Sequence, residues 1–196
     1  MLKNRNFWLV ALVLSVLFGV YTALLSNLVP FAVDLGISKD RGALLISVIA
    51  LFGMLGKLIF GVIADNIDLR AGLAAAAALV AIGLLLYLQG SYTMLLGGSV
   101  AIGLAAGGML PVWGALLAKL FGSDNYGRVM GLMNPFIMPM TVIGSPLAGH
   151  IQDVTGSYRI AFIVFIAALL VAICMLPAIR MRQAAGAELS SATSAK

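Results

Sequence analysis

Few side chains in this 196-residue chain can do chemistry, and fewer are spaced to do it together. The nearest approach to a nucleophile and its base is Gly97-Gly98-Ser99 with the single histidine, His150. The glycine that should follow such a serine is absent, which argues against an intramembrane serine protease. Cys174 is the only cysteine, so no internal disulfide can form, and no Cys/His spacing suits a metal. No catalytic residue, cofactor or metal site is therefore expected. What remains suits non-covalent recognition and the movement of charge. Lys57 lies inside an apolar run, and Asp65, Arg70 and Arg128 stand at the ends of such runs. Ser15, Tyr21, Thr22, Ser26, Trp113, Met133, Asn134 and Met138 place polar or polarisable groups within them. At hydrocarbon depth each polar atom must find a partner, and an ionisable group marks a functional candidate by default.

The elements that must position these groups follow from composition. The chain is 62% hydrophobic and 10% charged with a mean hydropathy of +1.11, whereas a soluble domain carries about 25% charged residues. No charge falls between Arg5 and Asp34, Arg70 and Lys119, Arg128 and Asp153, or Arg159 and Arg180. A crossing takes about 20 residues, so the run from Ala71 to Ala118 holds two. Six helices are expected, at about 7–31, 42–64, 70–89, 92–118, 128–151 and 159–179. Residues 1–182 would form one transmembrane bundle, and 183–196, small and polar, a disordered tail.

The formal charge of +5 is a topology signal. Six crossings put both termini on one side, with Lys3, Arg5, Arg70, Lys119, Arg128, Arg180, Arg182 and Lys196 against Lys39, Arg41 and Arg159. The positive-inside bias then makes both termini cytoplasmic, most simply at the plasma (inner) membrane, and removes any need for a nucleic-acid partner.

A motif G-x-x-x-x-G-x-I-x-D occurs as Gly56, Gly61, Ile63, Asp65 and again 88 positions later as Gly144, Gly149, Ile151, Asp153. Three helices fit between corresponding points, and an odd number of crossings inverts the second copy. The expected fold class is an all-α membrane protein with six helices in a 3+3 inverted repeat, the plan of many secondary transporters. Gly103/Gly107, Gly127/Gly131, Gly144/Ala148 and Ser145/Gly149 are small pairs that would let helices approach closely. Pro111, Pro135, Pro139 and Pro146 interrupt hydrogen bonding in the fourth and fifth helices and favour kinks beside a cavity. Ser15, Gly19, Thr22 and Ser26 repeat at helical spacing as a polar stripe, with Tyr21 beside it.

The segment from Gly56 to Arg70 resembles the loop signature of the major facilitator superfamily, G-x-x-x-D-R-x-G-R-R, with Gly61, Asp65 and Arg70 matching. Asn66 replaces the usual arginine and Asp68 the usual glycine, as is common in second halves of these transporters. Gly131-Leu132, Gly144-Ser145-Pro146-Leu147-Ala148-Gly149 and Asp153 to Tyr158 look like the fifth helix and following turn of such a half. The resemblance covers nearly the whole chain as helices seven to twelve of twelve, nearest the monocarboxylate-porter and oxalate/formate-exchanger groups.

It implies a structural latch at Asp65, with Arg70 and Arg128 as partners, and Lys57 either joining it or snorkelling to the interface. It also implies that helices one, two, four and five line a central cavity, making Ser15, Tyr21, Thr22, Ser26, Trp113, Met133, Asn134 and Met138 the substrate-facing candidates. The basic residue that dicarboxylate exchangers carry in the stretch from Asn134 to Met140 is missing, so the membrane centre reads as uncharged. The implied function is half of a secondary transporter for a small organic solute such as a monocarboxylate, needing an N-terminal half in the same or a separate chain. The alternatives are a non-transporting remnant or a regulatory half.

Overall fold

The computed structural model describes residues 5–64 and 68–179. Six long helices follow one another: α1 (Arg5–Asp34), α2 (Lys39–Ala64), α3 (Leu69–Tyr87), α4 (Tyr92–Phe121), α5 (Tyr126–Thr155) and α6 (Arg159–Met175). Short 3-10 turns at Ser123–Asn125 and Leu176–Ala178 complete the described elements. Each helix lies where the charge-free runs place it, with ends within four residues of those expected: α1, α2, α4 and α5 run longer, while α3 stops at Tyr87 and α6 at Met175, short of the expected 89 and 179. Asp65 and the 183–196 tail lie outside the described residues.

Glycine ends four of the helices. Gly36, Gly90, Gly122 and Gly156 have φ between 70° and 84°, the left-handed region that side chains avoid, and they follow α1, α3, α4 and α5. Asp68 starts α3 by accepting a hydrogen bond from the backbone N–H of Arg70 at 3.0 Å. The four prolines of the fourth and fifth helices do not interrupt helix formation. Pro111 lies within continuous α4, and Pro135, Pro139 and Pro146 within continuous α5.

The pairing of helices carries the inverted repeat. α1 packs along α5 as α4 packs along α2, α3 lies against α6, and α3 meets α4 as α6 meets α1. Exchanging the first three helices with the last three leaves this set of pairings unchanged. Two close crossings fix it. Gly144 of α5 sits on the backbone of Gly19 in α1, and Gly107 of α4 sits on Gly53 and Gly56 in α2. A Cβ at either position would meet main chain, which is how small residues bring membrane helices together. Gly103 likewise approaches Ile49 and Phe52. The Gly127/Gly131 pair marks no such contact, since a Cβ at either would meet open space within this chain.

Five helices are long and apolar enough to cross a membrane: Arg5–Asp34, Lys39–Val62, Leu69–Tyr87, Tyr92–Phe121 and Arg159–Ala178. α5 is as long as α1, at 30 residues, but does not meet the same measure of apolarity. Its three prolines, Asn134, His150 and Gln152 dilute the aliphatic residues.

Candidate functional site

A cleft of about 330 Å³ opens between α1, α2 and α4. Ile49, Gly53 and Lys57, one turn apart along α2, form one wall, with Met54 beside them. Phe18 and Tyr21 of α1 face them, and Ala106, Gly107, Met109 and Leu110 of α4 close the third side. The Gly107 crossing brings α2 and α4 together at the base of this space. The lining is apolar apart from the Tyr21 hydroxyl and the Lys57 ammonium, the pattern of a small-ligand site with a few placed polar groups.

Lys57 gives this cleft a positive charge. Its side chain is exposed and lines the cleft, two turns inside α2 from the chain's next acidic residue. It is the one charged residue on that wall. Of the eight substrate-facing candidates, Tyr21 lines the cleft and the other seven do not.

Ser15 and Thr22 serve the α1–α5 seam instead. The Ser15 hydroxyl lies 3.1 Å from the Phe136 carbonyl, and the Thr22 hydroxyl 3.2 Å from the Thr141 carbonyl. Each also returns a bond to its own helix, Ser15 to Ala11 and Thr22 to Phe18. Asn27 extends the seam, donating to the Ser145 carbonyl at 3.3 Å while accepting from the Tyr158 hydroxyl at 3.3 Å. The three α5 acceptors are each one residue from a proline or from a carbonyl that a proline leaves unbonded. These bonds join the polar residues of α1 to the main chain of α5.

Trp113 is 5% exposed and meets the cleft-lining Phe18 ring edge-on at 5.6 Å between centroids. Its indole N–H is buried with no hydrogen-bond partner among the described residues. Met133 is fully buried, while Ser26, Asn134 and Met138 are exposed on the bundle surface. Arg70 pairs with Asp68 at 2.7 Å and donates to the Ile179 carbonyl at 3.0 Å, tying the start of α3 to the end of the bundle. Arg128 is exposed on the first turn of α5. The proposed partner of both, Asp65, is outside the described residues.

Sequence reasoning missed Gly53 and Met54 in the cleft, Asn27 in the seam and Asp68 as a cap. A lysine in an apolar helix with glycine one turn before it was the available signal for the first. An asparagine inside the first apolar run signalled the second, and an aspartate just before an apolar run the third.

The sequence profile of the Major Facilitator Superfamily matches residues 2–195. The chain belongs to that superfamily. Among relatives in it, the chain is 28% identical over 161 residues to monocarboxylate transporter 12 of Rattus norvegicus, covering 79% of this chain and 33% of the relative. It is 30% identical over 162 residues to monocarboxylate transporter 2 of Homo sapiens, covering 80% and 34%. Monocarboxylate transporter 11 of Homo sapiens is 29% identical over 170 residues, covering 82% and 36%. The chain spans about a third of the length of the curated relatives it matches. This membership makes it an integral membrane protein, in keeping with its apolar helices.

Proposed function

We propose that the chain is one half of a secondary transporter that moves a small organic anion of the monocarboxylate class by alternating access. The observation that carries this reading is the α1–α2–α4 cleft with Lys57 on its wall. A carboxylate entering a mostly apolar space needs one positive partner and a hydrogen-bond donor, and Lys57 and Tyr21 supply both. The names of the relatives agree in substrate class.

A six-helix partner half would cover the cleft. Met54 is 68% exposed on α2 and Met138 65% exposed on α5, and Asn134 shares that face of α5. Exposed Asn134 interrupts the apolar surface of α5 there, and a protein or water neighbour would satisfy its amide. Asn134 and Met138 then face the second half. Asp65, with Arg70 or Arg128, would act as a cytoplasmic latch between conformations, and both termini would lie in the cytoplasm at the plasma membrane.

Reconstitution tests the proposal. The chain alone in liposomes should give no saturable flux of a labelled monocarboxylate, and the chain co-expressed with a six-helix N-terminal half should give it. Saturable uptake by the chain alone would remove the need for a partner. No uptake by a correctly assembled pair would leave a non-transporting or regulatory half.

A further inference from the structure

A second pocket, of about 290 Å³, opens where α1, α3 and α5 end and α6 begins. It shares no lining residue with the Lys57 cleft. Asp34, Gln89 and Arg159 form its polar rim, over a floor made by Phe31, Tyr87 and Tyr158. The Phe31 ring lies 6.1 Å from that of Tyr87 and 5.9 Å from that of Tyr158, so the floor is one continuous aromatic surface.

The depth of this pocket is set by the helices themselves. Asp34 is the last residue of one apolar span, Tyr87 the last of another and Arg159 the first of a third. The pocket therefore stands where hydrocarbon gives way to headgroups, the level that tyrosines and charged residues favour. Two opposite charges share its rim without pairing with each other. Asp34 accepts a hydrogen bond from Gln152 at 3.1 Å, and the ion pair among the described residues is Arg70 with Asp68. The guanidinium of Arg159 has no carboxylate partner among the described residues.

We infer that this pocket binds the headgroup of a phosphoethanolamine phospholipid, with the phosphate on Arg159 and the ammonium on Asp34. A guanidinium matches phosphate oxygens with paired donors, and a primary ammonium brings three donors to a carboxylate. A choline headgroup has no N–H for Asp34, and a phosphoglycerol headgroup has no cation. The volume lies at the small end of ligand pockets, about 300–1,000 Å³, which suits a headgroup whose tails remain in the bilayer. This inference does not depend on the transport reading.

Native mass spectrometry of the full chain, released from nanodiscs holding equal phosphatidylethanolamine, phosphatidylcholine and phosphatidylglycerol, tests it. One retained phosphatidylethanolamine per chain should predominate over the other two. Arg159→Gln and Asp34→Asn should each lower that retention about tenfold, the loss expected for a charged hydrogen-bonding partner, and Arg159→Lys should lower it less. Equal retention of the three lipids by the unsubstituted chain would overturn the inference without reference to any variant. So would retention unchanged in a folded Arg159→Gln protein. Displacement of the lipid by soluble phosphoethanolamine at equal concentration would also overturn it, by assigning the pocket to a free solute.

Discussion

Gly144 of α5 rests on Gly19 of α1, with the Gly19 carbonyl oxygen 2.8 Å from the point a Cβ at 144 would occupy. The partner crossing is Gly107 on Gly56, and each residue in it lies 88 positions from its counterpart in the first. One repeat offset therefore relates both the sequence motif and these two glycine crossings. The two seams differ in chemistry. α1 on α5 adds hydrogen bonds from Ser15, Thr22 and Asn27, whereas α2 on α4 relies on glycine contact.

Gly107→Ala and Gly144→Ala should each destabilise the bundle by about 1–3 kcal/mol, because the added methyl meets backbone that cannot yield cheaply. Gly61→Ala and Gly131→Ala, where the methyl meets nothing within 4 Å, should stay within about 0.5 kcal/mol of the parent. Denaturant titration in mixed micelles checks the contrast. Equal effects at all four positions would contradict these crossings.

Asn27→Ala should cost more than Tyr158→Phe. The alanine leaves the 5% exposed Tyr158 hydroxyl without its acceptor and also removes the bond to Ser145, while the phenylalanine removes one hydroxyl. A double-mutant cycle should show a coupling of about 0.6 kcal/mol, typical of such bonds between membrane helices. Additive effects would mean that the two side chains do not act together.

Arg70 holds the Asp68 carboxyl below its usual range, chiefly by donating side-chain hydrogen bonds to it. A lowered folded-state value means the contribution to stability is present above the ordinary carboxylate pKa, about 3.9, and fades as pH falls through the folded value. Asp68→Asn should therefore melt below the parent at pH 7, and the gap should close in acid. The pair is largely exposed, so the gap should be small. A gap that persists unchanged below pH 3 would assign it to the cap alone.

In a Cys174→Ser background, cysteines at Tyr21, Met54 and Lys57 should react with water-soluble thiol reagents in the assembled transporter. Cysteines at Ser15 and Met133 should not, being buried between helices. Labelling at Ser15 in a transport-competent preparation would return the α1 stripe to the cavity wall.

Six helices, their order and their inversion were legible because charge-free runs and an 88-residue repeat are properties of one dimension. The direction in which each polar group points was not. Ser15 and Thr22 share a helical face, but only packing decides whether that face meets water or the carbonyls of α5. Lys57 reads in sequence as a lysine that snorkels or joins the latch, and its place beside α1 and α4 on the cleft wall is visible only in the packed bundle. Gly127 and Gly131 have the spacing of a contact pair, yet among the described residues nothing lies within 4 Å of a Cβ placed at either.

The proposed role of Lys57 on the cleft wall is best tested by uptake of a labelled monocarboxylate into liposomes holding this chain co-expressed with a six-helix N-terminal half. Lys57→Arg keeps the charge and should retain saturable uptake within a few-fold. Lys57→Gln should lose at least about tenfold in kcat/KM, since about 1.4 kcal/mol is the least expected from deleting a charged partner in an apolar site. Wild-type uptake by the Gln variant would contradict the assignment of Lys57 as the anion's partner.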